Sequence, residues 1–397
     1  MKLDVVIFGG GVAGLWLLDR LIEGGYSVLL LEARSLGAGQ TIAAQGIIHG
    51  GLKYTLRGRL SPSAKSVRDM PGVWRACLRG DGRPNLRDVP VMAEYCHLWR
   101  TEGLRSRIGM IGAKAGLTVK PVRVDRQAWP EILRECTGDV YRLDEQVVDA
   151  PGLLRSFARR HERHLLQINA DGGVHFDLAE PPHVRAIHIR APNESASLQL
   201  RPRVVVFAAG EGNAGLHQRV GLSADAMQLR PLHMVMLRGR LLPLFGHCVD
   251  AASTRATITM ACDAAGHTIW HVGGQIAEDG VKMSRNDLIR HARRELKAIL
   301  PGLDDRGVEW AAYRVNRAEP TAAGKRPSGE CAARRGNCIT AWPTKLALAP
   351  RLAERVAGIL EPPSRENRFE PEQLAGWPRP NVAAPPWETQ QEWITDP

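Results

Sequence analysis

Apolar positions near the start of the chain fall in the order strand, helix, strand. Val5, Val6, Ile7 and Phe8 form a continuous apolar run, long enough for a buried parallel strand and too short for a core helix. Leu15, Leu18, Leu21 and Ile22 then keep a helical period until Gly24 and Gly25 stop it. Residues 28–31 make a second apolar strand that ends on Glu32. Between the first strand and the helix, Gly9, Gly11 and Gly14 take the spacing G-x-G-x-x-G. There the first glycine permits a tight turn, the second lets a pyrophosphate approach the backbone, and the third lets helix lie on strand. Val12 and Ala13 open the helix, whose N-terminus offers N–H groups and a positive dipole end to phosphates. Glu32 follows Gly14 by 18 residues, where a carboxylate accepts bonds from a ribose diol. A glycine-rich turn in another α/β unit would leave Glu32 a solvated strand end. The full ordered pattern favours a bound dinucleotide.

The rest of the chain alternates between the two periods. After Ala33, Arg34 and a flexible stretch at 35–40 comes TIAAQGIIHGGLKYTL, residues 41–56. Its small residues, Ala43, Ala44, Gly46, Gly50 and Gly51, keep the backbone clear for a large planar group. His49, Lys53 and Tyr54 are the polar groups set into it; a lone histidine is ordinarily a satisfied core residue, and both readings of His49 stand. Residues 57–145 mix helical patches with Gly/Pro/Arg-rich turns, and Trp74, Trp99 and Trp129 are expected in core or lid packing. A helix is expected to start at Asp149-Ala150-Pro151. Strands are expected at 165–169, 173–176, 184–189, 198–201 and 204–210. The last runs through Ala209 into Gly210-Glu211-Gly212-Asn213-Ala214-Gly215, again G-x-G-x-x-G. Its helix is short and no acid ends a following strand about 20 residues on, so it reads as a strand beside the first site.

Strands at 228–238, 256–260 and 268–272, broken by Pro231, Pro243 and Gly266, suit an antiparallel sheet with one wet face. His233, His247, His267 and His271 lie here without metal-ligand spacing, and each alone reads as structural. An amphipathic helix follows at 286–300, then a strand at 310–317. Arg314 and Arg317, three apart, do not share a strand face; a surface ion pair is the plain reading of either. Residues 337–354 give strand, turn and helix through Pro343, Thr344, Lys345 and Leu346. Residues 362–397, rich in Pro and Trp without a period, are expected as a surface tail or a docking peptide for a protein partner.

Composition adds little until charge is counted. Of 397 residues, 44% are hydrophobic and 24% charged, which is ordinary for a globular protein of two or three domains. The net charge of +11 favours anionic partners, or else is a basic bias spread over a solvated surface. No block of five or more successive basic residues occurs, and no DNA partner is expected. Seven scattered cysteines without a C-x-x-C pair argue against a disulfide framework or a metal site and for a reducing compartment. No leader is expected ahead of the fingerprint, and no apolar run nears the ~20 residues that span a bilayer. A cytoplasmic location is expected, with peripheral docking to the inner membrane left open.

The fingerprint followed by Ile48-His49-Gly50-Gly51-Leu52-Lys53-Tyr54 resembles the FAD-dependent oxidoreductases of the D-amino-acid oxidase and glycine oxidase superfamily. Nearest in motif are glycerol-3-phosphate dehydrogenases, whose isoleucine-histidine-glycine-glycine-leucine-arginine-tyrosine run lies beside the flavin, and 2-hydroxyglutarate oxidases. Lys53 stands where the glycerophosphate enzymes have arginine, keeping charge but losing the two-pronged grip on phosphate. The resemblance implies FAD held by Gly9, Gly11, Val12, Ala13, Gly14, Glu32, Ala33, Arg34, Thr41, Ala44, Gln45, Gly46, Ala209, Gly210, Pro343, Thr344, Lys345 and Leu346. It implies His49 as base, polariser or covalent flavin anchor, with Lys53, Arg317 and Lys345 as an anion clamp.

The implied fold class is α/β: a Rossmann-like FAD-binding domain with a discontinuous α+β substrate domain built on an antiparallel sheet. The boundaries drawn are 1–78, 147–225 and 318–361 for FAD, 79–146 and 226–317 for substrate, and 362–397 for the tail. The implied activity is oxidation of a CH–OH or CH–NH group of a small anionic substrate, with oxygen, a quinone or a protein as electron acceptor. The alternatives are a flavoprotein acting on tRNA, a subunit of a larger complex, or an NAD(P)-dependent dehydrogenase.

Overall fold

The computed structural model describes residues 1–51, 62–101, 121–169, 171–194, 196–250, 253–322, 327–366 and 370–397. The opening unit forms as expected: β1 (Lys2–Phe8), α1 (Val12–Glu23) and β2 (Val28–Glu32). β1 and β2 run parallel, Val5 beside Val28. On the other side of β1 lies the strand Ser197–Phe207, also parallel, and beyond it Cys338–Trp342. Leu165–Gln167 extends the sheet past β2. Both faces of this core are dry, which is why its strands read as unbroken apolar runs. Ile7, Leu15 and Leu30 pack on the α1 side, and Phe8, Leu31 and Phe207 on the other.

The sequence suggests two strands at 198–201 and 204–210, whereas a single strand runs Ser197–Phe207 through Pro202. Arg201 donates its N–H to Met1 O, so the N–H that proline lacks would point to the opposite side. There the antiparallel neighbour His183–Arg190 has ended at Leu200, and Cys338–Trp342 begins only at Val205. Pro202 occupies the gap between partners.

A second sheet of nine described strands includes Met227–Gly239, Gly246–Asp250, Ser253–Cys262, Thr268–Gly273 and Glu309–Pro320. Pro231 does not break the first of these: pairing with Thr268–Gly273 starts only at Val235, so the proline faces an open edge. The amphipathic helix Arg285–Ile299, capped by Ser284, covers one face of this sheet. Leu288, Ile289, Ala292 and Leu296 meet Val235, Leu237, Trp270 and Trp310 there. Trp74, Trp99 and Trp129 are buried, with indole N–H groups donating to Ala347 O, Ile299 O and Val124 O. The helix expected after Asp149 runs Ala150–His161, with the Asp149 carboxylate accepting the Gly152 N–H.

The C-terminal residues are tied down rather than loose. Trp377 is buried, its indole donating to Gln167 O, while Gln167 N–H donates to Pro378 O. Asn381 and Ala383 then bracket Leu36, and Ile394–Thr395 pairs with the start of Glu309–Pro320. One segment thus covers a free edge of each sheet, the exposed backbone that unpaired strands leave. Trp377→Ala removes a buried indole and its hydrogen bond. Its expected cost is about 3–5 kcal/mol, read as a lower thermal midpoint with the FAD content unchanged.

Among the described residues no helix is long and apolar enough to cross a membrane. The seven cysteines carry no disulfide.

Candidate active site

The ends of the parallel strands open into a cavity of about 330 Å³, within the span of small-molecule and cofactor sites. Its lining includes Gly9, Gly11, Val12, Ala13, Glu32, Ala33, Arg34, Thr41, Ala44, Ala209, Gly210, Pro343, Lys345 and Leu346. Local chemistry explains the shape. Gly9 has φ +106°, and a Cβ there would lie 2.5 Å from the Ala209 Cα. The Ala208-Ala209 turn that follows the strand Ser197–Phe207 therefore closes against the first turn, and the second glycine motif belongs to the same site. Gly11 caps α1 without a side chain, and only Thr41 Oγ1 would approach a Cβ placed on it, at 3.3 Å. The Thr41 hydroxyl accepts the Val12 N–H at 3.1 Å, which orders the 41–46 segment against the helix. Glu32 accepts Gly10 N–H through Oε2 and Arg34 N–H through Oε1, fixing the carboxylate at the cavity wall. A helix N-terminus, bare glycine backbone, an anchored acid and apolar flanks at Val12, Leu31 and Ile168 suit an extended anionic dinucleotide. The residues present fit FAD.

Four residues expected at the cofactor do not line this cavity. Gly14 lies beneath it: a Cβ would sit 2.0 Å from Gly9 O, so its role is helix-on-strand packing. Gly46 has φ +73°, and a Cβ there would stand 2.1 Å from Val148 O. Gln45 Nε2 donates to Thr257 O and His271 O, joining the 41–46 segment to the second sheet. Thr344 is buried at φ +58°, its hydroxyl donating to Gly329 O.

The expected anion clamp is dispersed. Lys345 lines the cavity and its Nζ donates to Ser328 O at 3.0 Å. Arg317 instead borders a separate depression with Arg230, Asp279 and Lys282, and it pairs with Glu278 at 3.4 Å. Arg314 donates to Val281 O and Met283 O, away from either. Lys53 and Tyr54 lie outside the described residues.

The second sheet presents an unexpected surface to the 41–50 segment. Cross-strand partners share a face, and His247–Thr257, Thr259–His271 and His271–Met236 are such partners. Tyr313 joins them two residues from Ala311, the partner of Met236. The polar face expected to be wet is buried instead: His247, Thr257, Thr259 and His271 are all enclosed. Burial pushes the His271 pKa down to about 4, so its ring is neutral at physiological pH and meets the Tyr313 hydroxyl at 2.5 Å. The Tyr313 hydroxyl in turn reaches Ala43 O at 3.4 Å.

His49 stands at this join, and Glu145 stands beside it. His49 Nδ1 is 3.4 Å from Glu145 Oε2, His247 Nε2 is 3.5 Å from the same oxygen, and Gly50 N–H donates to Oε1 at 2.7 Å. Burial pushes the Glu145 pKa up, but hydrogen bonds and charge from His247 and His49 outweigh it and hold the carboxyl below its ordinary range. Sequence reasoning did not single out Glu145 or Tyr313, and it read His247 as structural. Glu145 is 96 residues from His49 and carries no local motif, and alternation alone does not say which face of a sheet another domain covers.

Fold and cavity together define a dinucleotide-dependent oxidoreductase with a Rossmann-like half and an antiparallel half. Residues 4–339 match the model of the FAD dependent oxidoreductase family (DAO), and the chain belongs to that family. It is 39% identical over 402 residues to the probable FAD-dependent oxidoreductase PA4991 of Pseudomonas aeruginosa, covering 98% of each chain. The crystal structure of that protein superposes with a TM-score of 0.81. Glycine oxidase from Geobacillus kaustophilus shares the fold at TM-score 0.59 and 17% identity, over 96% of this chain and 100% of that one. FAD-bound L-α-glycerophosphate oxidase from Mycoplasma pneumoniae does so at 0.61 and 14%, over 99% and 100%. FAD is the cofactor of this chain.

Proposed function

We propose that this enzyme oxidises a CH–OH or CH–NH group of a small anionic substrate, with His49 accepting the proton from the O–H or N–H. The observation that carries the reading is the place of His49. It follows the segment whose Thr41 and Ala44 line the cavity, outside that lining itself, and its ring lies 5.4 Å from the His247 ring on the polar face of the second sheet. FAD, when bound, supplies the acceptor for the hydride that leaves carbon. The residues of the chain do the rest. Gly9, Gly11 and the start of α1 hold the phosphates, Glu32 the ribose, and the 343–346 turn closes the far wall. The buried sheet face excludes water, so a proton moves to His49 rather than to solvent. Lys345 and Lys53 are assigned to the substrate anion, together with Arg317 if the anion displaces Glu278 from it. Oxygen, a quinone or a protein takes the electrons onward, and a quinone would place the enzyme at the inner membrane surface.

The purified protein is expected to be yellow, and anaerobic addition of small hydroxy and amino acids should bleach it for one class. Colourless protein that refuses added FAD would defeat the reading, as would a yellow one that no such compound reduces. Air or a soluble quinone added afterwards distinguishes oxidase from dehydrogenase.

A further inference from the structure

We propose that Glu145 is a positioning residue for His49, holding the imidazole from its Nδ1 side and balancing the charge it acquires, with His247 anchoring the carboxylate. This rests on the reading of His49 as proton acceptor. Three separate segments of the chain converge to build the arrangement. A short ladder sets the register: Val148 N–H donates to Gly46 O at 3.0 Å, Ile48 N–H to Gln146 O at 2.8 Å, and Gly50 N–H to Glu145 Oε1 at 2.7 Å. The left-handed Gly46 lets the two backbones close to that distance. The register leaves Glu145 Oε2 facing His49 Nδ1 at 3.4 Å. His247 comes from the second sheet, its Nδ1 2.9 Å from Thr257 Oγ1 and its Nε2 toward the same Glu145 oxygen.

An imidazole that donates from Nδ1 to a carboxylate carries its lone pair on Nε2, the form a proton acceptor needs. The proton then moves from the substrate O–H or N–H to His49 Nε2, and Glu145 stays ionised beside the imidazolium. No covalent bond to the protein forms and no further reactant is consumed. The 3.4 Å separation is long for a hydrogen bond, and such contacts commonly shorten once substrate is bound. Glu145 and His247 are ionisable groups that face His49 among the described residues, while Lys53 and Tyr54 lie outside them.

The same three side chains place ligand atoms within 4.8 Å of one another, so a divalent cation is the rival occupant. A metal on His49 Nδ1 would take the place of the hydrogen bond proposed here.

The test uses the FAD-loaded enzyme and its Glu145→Gln variant. Glu145→Gln is expected to keep its FAD, bind substrate with similar affinity, and slow reduction by substrate about 10²-fold. The acid limb of the rate profile should move to lower pH by about one unit or more, because an imidazolium loses its opposite charge. Ring ¹⁵N spectra of His49, recorded with FAD but without substrate, should show its protonation midpoint falling in the same direction. Glu145→Asp, which keeps the charge on a shorter arm, should recover most of the rate. If Glu145→Gln misfolds, His247→Asn serves instead, with about a tenfold loss expected as the carboxylate loses an anchor.

A folded Glu145→Gln enzyme with unchanged rate and unchanged ¹⁵N titration would overturn the proposal. So would stoichiometric metal in the purified wild type whose removal by chelator abolishes the rate. Should His49→Asn also react at full rate, the fault lies with His49 as acceptor. If only Glu145→Gln does so, the fault lies here.

Discussion

His49→Asn is expected to leave a folded, yellow enzyme that substrate reduces about 10²–10⁴ times more slowly. The side chain is only partly enclosed, at 15% exposure, so its loss removes little packing, and asparagine still offers Glu145 a donor. The residues that line the cavity are untouched, so FAD affinity should hold. Stopped-flow mixing with substrate under anaerobic conditions reads the rate constant apart from binding, and a loss smaller than tenfold would remove His49 from the chemistry. The same variant decides the rival role of flavin anchor. If wild-type protein precipitated by acid keeps its colour and the variant releases it, His49 holds the flavin covalently.

Whatever depends on neighbours in sequence was legible beforehand. The opening strand, glycines, helix and acid appear where the pattern puts them, because a buried parallel strand and an amphipathic helix each leave a local period. The helix over Arg285–Ile299 and the alanine-alanine-glycine strand end beside Gly9 were legible for the same reason. The prolines misled, since a proline stops a strand only when its missing N–H would face a partner. Pro202 and Pro231 face gaps, and gaps belong to sheet order, which local sequence does not carry. The Pro/Trp-rich end was legible only as a surface segment: Trp377 has no periodic companions because it fills a hole between elements already built.

The site divides along the same line. Glycines that must admit backbone announce themselves, whereas Glu145 acts only through a ladder closed across nearly a hundred residues. The resemblance implies Arg317 in an anion clamp, yet its guanidinium lies on Glu278 beside a separate depression. Position along a strand fixes a face; which space that face meets is settled by the neighbouring domain.

The two glycines flanking the start of α1 are expected to fail in opposite ways when each is changed to alanine. For Gly14→Ala, helix propensity alone favours the variant by about 1 kcal/mol. Against that, the new Cβ would stand 2.0 Å from Gly9 O and 3.3 Å from Leu30 Cδ1. The nearer atom is backbone and cannot swing aside, so α1 must lift from β1 and carry Leu15, Leu18 and Leu21 out of register with the core. Overpacking of this kind costs about 1–3 kcal/mol and sometimes more, and contact with a fixed carbonyl belongs at the upper end. The steric loss exceeds the propensity gain, and the thermal midpoint should fall even without FAD. For Gly11→Ala the backbone, at φ −74°, accepts alanine, and the nearest atom is Thr41 Oγ1 at 3.3 Å. The methyl group then projects where the pyrophosphate is to lie. The apoprotein should melt like wild type while FAD affinity drops roughly tenfold or more, about 1.4 kcal/mol at least. Titrating FAD into both apoproteins and melting each alone separates the outcomes. If Gly14→Ala melts with the wild type, α1 is not packed on β1 as closely as the 2.0 Å approach requires. If Gly11→Ala binds FAD unchanged, the dinucleotide does not cross the first turn.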